Sequence, residues 1–184
     1  VKTPAIDLAE VGAGGGSIAW LDPEGILHVG PRSAGSDPGP ACYARGGKLP
    51  TVTDADLVLG YLDPEHFAGG VFALDRAAAL RVVEEQIARP LGVDVARAAW
   101  AIHEAVNASM AAAIHVVTVQ RGIDPRDHAV VAFGGAGPMH LVGVAQHFGI
   151  TRLLVPPEAG VASALGMLGT DLVAEHGRTL LLRP

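Results

Sequence analysis

With 184 residues, 49% of them hydrophobic, and a formal net charge of -6, the chain is long enough to bury a core and lacks the basic face of a nucleic-acid binder. Its single cysteine excludes an internal disulfide and fits a reducing cytoplasm, and 4% aromatics leave few platforms for stacking bases. The longest apolar run of the central segment, residues 110–119, is interrupted by His115 and falls short of the ~20 residues of a bilayer-spanning helix, so no membrane association is expected.

The chain begins at Val1 with no targeting signature and reads as a piece of a longer protein. A strand is expected over residues 5–12. It enters a glycine loop, Gly12-Ala-Gly-Gly-Gly-Ser17, in which Gly14, Gly15, Gly16 and Ser17 either offer amides and a hydroxyl to a ligand or make a tight turn where strands pass closely. Residues 18–21 and 27–29 form a hairpin around Asp22-Pro-Glu-Gly25. Residues 30–52 are rich in glycine and proline and without period; a loop of that length inside a domain is functional or disordered, and its Ser33, Asp37, Cys42, Tyr43 and Arg45 favour order. Cys42 has no histidine nearby in sequence and reads as a small buried hydrophobe rather than a nucleophile.

Residues 53–60 predict a short helix capped by Thr53 or Asp54 and ended by Gly60. Asp54 and Asp56, two apart, do not share a helix face, so their spacing supports no carboxylate pair and capping is favoured for Asp54. Asp75 caps a helix to about Ala88, broken at Pro90-Leu-Gly92. The longest periodic segment, residues 95–121, places Ile102, Val106, Met110 and Val117 along one stripe. Beside it, His103, Glu104 and Asn107 lie either against a ligand or on a solvated flank, and His115 is expected as a core histidine.

Residues 129–133 read as a buried strand, followed by Gly134, Gly135, Ala136 and Gly137, where backbone amides can approach a bound group, and by Pro138 at a helix start whose positive end faces the same spot. That helix runs to about Phe148. Residues 152–155 form a second buried strand, residues 161–168 a short helix and residues 172–182 a strand-like end. This order implies parallel pairing in the second half beside the hairpin of the first: an α/β fold with a mixed sheet and flanking helices. No metal-ligand motif and no Walker A sequence are legible, and His140 stands where the dinucleotide fingerprint needs its third glycine.

Four stretches, Val11-Gly-Ala-Gly-Gly-Gly-Ser-Ile-Ala19, Val29-Gly-Pro-Arg-Ser-Ala-Gly-Ser-Asp-Pro-Gly-Pro-Ala-Cys-Tyr43, Pro50-Thr-Val-Thr-Asp-Ala-Asp-Leu-Val-Leu-Gly60 and Ala132-Phe-Gly-Gly-Ala-Gly-Pro-Met-His140, together resemble the hydantoinase A/5-oxoprolinase family, and Val161-Ala-Ser-Ala-Leu-Gly166 continues the match. The resemblance covers nearly the whole chain. It implies part of an actin-like ATPase domain of the sugar kinase and Hsp70 type, one unit over residues 1–184. Gly134, Gly135, Ala136 and Gly137, with Asn107 on the neighbouring helix, would face the adenosine side of ATP. Asp37 and Asp54 become candidate catalytic carboxylates, and the loop of Gly14, Gly15, Gly16 and Ser17 a candidate contact.

The implied activity is ATP-dependent opening of a cyclic amide, with magnesium or a similar divalent ion. The alternatives are a fragment of an acetone or acetophenone carboxylase subunit, or a nucleotide-binding module without catalysis. The Asp-x-Gly-Gly-Thr hairpins that grip phosphate in the family would precede Val1, so turnover is expected only of the complete module, with its N-terminal half and a hydantoinase B-type partner.

Overall fold

The computed structural model describes residues 9–170. Of the strand expected over residues 5–12, residues 9–12 carry no strand and the rest lies outside the described residues, as does the segment expected over residues 172–182.

The hairpin forms as its sequence dictates. Strands β1 (Ser17–Leu21) and β2 (Leu27–Ser33) pair antiparallel, Trp20 opposite His28, with an irregularity between Ser17 and Ala19. Asp22 closes the turn by accepting from the amides of Glu24 and Ile26 and pairing with His28 at 2.7 Å.

Helix α1 (Val52–Leu59) starts one turn-defining residue earlier than the composition suggested. Thr51, rather than Thr53 or Asp54, is the N-cap, and Asp54 answers it from the third helical position as a capping box. Gly60 ends α1 in the left-handed conformation, at φ 84°. Asp75 caps α2 (Arg76–Val83) through the amide of Ala78. The helix does not break at Pro90: it continues through a π turn at Glu84–Ala88 into α3 (Arg89–Leu91) and stops at Gly92, φ 66°. The wider π turn accommodates the proline ring, which an unbroken α-helix would not.

Helix α4 (Val95–Val117), capped by Asp94, is the beam of the fold, contacting β2, α1, α2 and the helix that follows it. Its length and apolar composition would also suit a bilayer crossing. Its buried stripe, however, carries Ala99, Ile102, His103, Val106 and Asn107 with side-chain hydrogen bonds to two other helices, which is the packing of a core helix. Strand β3 (Ala129–Val131), helix α5 (Gly137–Gln146) and strand β4 (Arg152–Leu154) form a βαβ unit with parallel strands, followed by α6 (Ala162–Leu168).

The α/β class and both kinds of strand pairing are therefore present. Among the described residues they occupy two separate two-stranded sheets instead of lying side by side in one. The main core joins the hairpin, α1, α2 and α4 around Val52, Leu57, Val83, Ile87, Ile102 and Val106. Each large aliphatic side chain there contributes roughly 1.5–3 kcal/mol by leaving water.

Candidate functional site

The glycine loop before β1 is shaped by its own neighbours. A Cβ on Gly15 would stand 2.7 Å from Thr53 Oγ1, and one on Gly16 would stand 2.7 Å from Ser33 Oγ, whereas Gly14 faces open space. Ser17 Oγ accepts from the Gly14 amide and donates to the Gly12 carbonyl, while Thr53 donates to the Gly15 carbonyl through both its amide and its hydroxyl. The tight-turn alternative accounts for Gly15, Gly16 and Ser17 without a ligand.

The two candidate catalytic carboxylates sit in different settings. Asp37 is exposed on the loop. Asp54 is fully buried and accepts from four donors: the amides of Ala41, Cys42 and Thr51 and the Thr51 hydroxyl, the last at 2.7 Å. Oδ2 takes three of these bonds and Oδ1 the fourth, so the carboxylate pins the 30–52 loop to α1 from a fully buried position. Beside it, burial and the Asp54 charge push the Cys42 thiol far up, which suits a packed side chain and not a thiolate nucleophile.

The turn between β3 and α5 is open. Gly134 takes the left-handed φ of 84° and donates its amide to the Ala159 carbonyl, so it holds the turn. Among the described residues nothing accepts from the amides of Gly135 or Ala136. A Cβ on Gly135 or Gly137 would meet nothing within 4 Å. Pro138 occupies the start of α5, as its fixed φ favours, and no side chain caps that end. Unmatched amides at a helix start, with free space above them, are what an incoming polar ligand needs. An apolar cavity of about 280 Å³, lined by Met110, Ile114, Phe133, Gly137 and Leu141, adjoins the turn. A larger cavity, about 620 Å³, lies elsewhere, between the hairpin and the π turn, lined by Trp20, Leu49, Ile87 and Pro90 among others. Asp22, Arg32 and Gln86 also line it, but it shares no residue with the turn after β3 or with the start of α5.

Asn107 faces inward. It is fully buried, donates to Glu104 at 3.1 Å and accepts from His140 Nδ1 at 2.9 Å. Helix α4 thus does run beside α5, as expected, but Asn107 bonds His140 of α5 instead of facing the open space. The fit is close: a Cβ on Gly143 of α5 would stand 2.3 Å from Asn107 Nδ2.

The same hydrogen bonds lead to a cluster that no sequence spacing announced. His103 Nδ1 stands 2.8 Å from Asp56 Oδ1, and His140 Nε2 stands 3.5 Å from Asp56 Oδ2. Asp56 and His140 are fully buried and His103 is 4% exposed. The imidazole rings are 4.6 Å apart, and His103 also lies on Trp100 and Tyr61. Burial is the main cause that holds His140 below the ordinary histidine value, aided by His103 and opposed by the Asp56 charge. Among the described residues, Asp56 Oδ2 and His140 Nε2 have no hydrogen-bond partner. The three residues come from α1, α4 and α5, so only helix packing assembles them. The sequence signal was indirect: Asp56 and His140 lie inside two of the motif stretches. By contrast, His115 and His147 are exposed, and His115 is not the core histidine its stripe suggested.

Comparison with known proteins places this geometry in context. The profile of the family described as Hydantoinase/oxoprolinase matches residues 1–176. The chain is 46% identical to the caprolactamase alpha subunit of Pseudomonas jessenii, over 100% of this chain and 26% of that protein. It is equally 46% identical to the acetophenone carboxylase gamma subunit of Aromatoleum aromaticum, over 94% of this chain and 24% of that one. The crystal structure of the ATP-dependent caprolactamase from Pseudomonas jessenii superposes with a TM-score of 0.80 at 48% identity, covering 86% of this chain and 23% of that chain. The chain spans about a quarter of the length of these relatives.

Proposed function

Because the chain belongs to the hydantoinase/oxoprolinase family, we propose that it forms the adenosine side of the nucleotide cleft in an ATP-dependent enzyme that opens cyclic amides. The single observation that carries this reading is the turn after β3, where the Gly135 and Ala136 amides find no acceptor among the described residues and the space above Gly135 and Gly137 is free of them. The name of the caprolactamase relative, which is ATP-dependent and acts on a lactam, supplies the reaction class.

In this reading, Gly134 sets the turn, Gly135, Ala136 and Gly137 let the nucleotide approach the backbone, and Asn107 fixes α5 through His140. The apolar cavity beside Gly137 suits the flat, weakly polar body of a base. When bound, ATP would supply a phosphoryl group to the amide oxygen, which makes the carbonyl carbon electrophilic enough for attack by water; the ring nitrogen then leaves as the amine and the phosphoryl group departs as inorganic phosphate. The divalent ion that accompanies it prefers an all-oxygen shell, and the two imidazoles beside Asp56 do not offer one. That ion is therefore assigned to the phosphates and to the rest of the module. Val131, Phe133, Leu154 and Val155, each about half exposed, are the surface on which that remainder, or a hydantoinase B-type partner, would pack. A cytoplasmic setting belongs to the same reading.

The second reading is a ketone carboxylase subunit, favoured by the equal identity to the acetophenone carboxylase gamma subunit. The full-length protein separates the two: ATP hydrolysis stimulated by a lactam, hydantoin or 5-oxoproline supports the first, and stimulation by a ketone with bicarbonate supports the second. Stimulation by neither leaves a nucleotide-binding module. In the same protein, Gly135→Val projects into free space and leaves the fold intact, but is expected to weaken nucleotide binding by at least about tenfold, measured by calorimetry. Unchanged affinity would overturn the assignment of the turn.

A further inference from the structure

We propose that Asp56, His103 and His140 bind one divalent transition-metal ion of the zinc class at the junction of α1, α4 and α5. The argument starts from the proton positions that the hydrogen bonds impose. Asn107 Nδ2 donates to Glu104, so Asn107 Oδ1 faces His140 and can only accept. His140 Nδ1 therefore carries its proton, and in a neutral ring Nε2 is a bare lone pair. That lone pair points at Asp56 Oδ2, another acceptor, and both atoms are buried without a partner. Two acceptors facing each other in a dry interior repel unless something positive lies between them.

A proton or a metal ion would satisfy them, and the separation chooses. A proton shared between imidazolium and carboxylate draws the heavy atoms to about 2.7–2.9 Å. Two ligands held about 2.0–2.1 Å from one zinc ion at near-tetrahedral angles stand roughly 3.3 Å apart. The observed 3.5 Å between His140 Nε2 and Asp56 Oδ2 is too long for the first and suits the second, whereas the 2.8 Å between His103 Nδ1 and Asp56 Oδ1 is a hydrogen bond that His103 would give up in order to bind the ion through that atom.

The donor set points the same way. One ligand atom from each of Asp56, His103 and His140 lies within 4.8 Å of the others. Two imidazoles and one carboxylate match zinc and its first-row neighbours and fit magnesium or calcium poorly. His140 donates its remote ring N–H to an amide oxygen, the outer arrangement that orients metal-ligating histidines. Three ligands leave a fourth position open. The aromatic floor of Trp100 and Tyr61 beside His103 keeps the site shielded.

The test is metal analysis of the full-length protein, loaded with Zn²⁺ and then dialysed against metal-free buffer, together with the visible spectrum of the Co²⁺-loaded form. The expected result is about one zinc ion per chain and a Co²⁺ spectrum of low coordination number. Asp56→Asn and His140→Gln are each expected to weaken Zn²⁺ binding by at least about tenfold. His115→Gln, at an exposed position, is expected to leave it unchanged. Substoichiometric zinc in the wild-type protein with no such Co²⁺ spectrum overturns the proposal, and needs no variant that might misfold. So does zinc retained at full affinity in both Asp56→Asn and His140→Gln, which would place the ion elsewhere. This outcome is independent of nucleotide binding, which the Gly135→Val measurement reads.

Discussion

Between residues 17 and 106 the large side chains Leu57, Ile87, Ile102 and Val106 are fully enclosed, whereas between residues 129 and 168 Val131, Phe133, Leu154 and Val155 are 50–56% exposed. Polar groups divide the same way. In the first stretch Asp54 accepts from four donors, and in the second the amides of Gly135 and Ala136 find no acceptor among the described residues. The first stretch is held by its own contacts. The second has the connectivity of a βαβ unit but not the two covered faces that a parallel sheet demands, which leaves its apolar side chains at the surface.

The comparison is open to attack at four points. Asp54→Ala should have the largest effect, on the order of 4 kcal/mol in urea unfolding, because it leaves three buried amides unmatched at about 1–3 kcal/mol each. A loss under about 1 kcal/mol would mean that the loop does not depend on its pin. Gly143→Ala comes next and tests the seam between the regions. In an open helix this change stabilises by up to about 1 kcal/mol. Here the new Cβ would meet Asn107 Nδ2 at 2.3 Å, so the sign should reverse to a loss of about 1–2 kcal/mol. Net stabilisation would show that α4 and α5 pack more loosely.

Leu154→Ser should change stability by no more than about 0.5 kcal/mol, since this side chain is 56% exposed. A loss several times larger would mean that the face is already covered. The smallest effect concerns pH. His28, followed by the Ile26 amide, holds the Asp22 carboxyl below its ordinary value of 3.8. A depressed folded-state value means that the turn's added stability is complete above the unfolded pKa of about 3.9 and is lost as the pH falls through the lower folded value. Trp20 stacks on His28 at 4.6 Å, so its fluorescence should follow that loss and should not do so in Asp22→Asn.

Much of the fold was legible because its signals are local. The hairpin, the Asp75 cap, the stop at Gly60, the long amphipathic helix and the strand, glycine turn and helix after residue 129 lie where the sequence placed them. Misplaced boundaries have local causes too. Thr53 and Asp54 carry suitable side chains for the cap the sequence predicts, and only the reciprocal bond between Thr51 and Asp54 places the cap at Thr51. Pro90 signals a break unless a π turn precedes it.

The candidate site was legible only in part. Gly134, Gly135 and Gly137 announce a turn through their lack of side chains, and that turn is found. Whether Gly15 and Gly16 serve a ligand or a neighbour depends on Thr53 and Ser33, which packing brings within 2.7 Å of where a Cβ would stand.

By itself, the sequence determined the family, the α/β class and the order of the elements, because periodicity, caps and motifs act over a few neighbouring residues. Only the tertiary structure decided that Asp54 is a structural pin while Asp56, two residues away, faces His103 and His140. Two positions two apart on one helix point to nearly opposite faces, and the partners that meet Asp56 come from α4 and α5, whose packing no short-range pattern records.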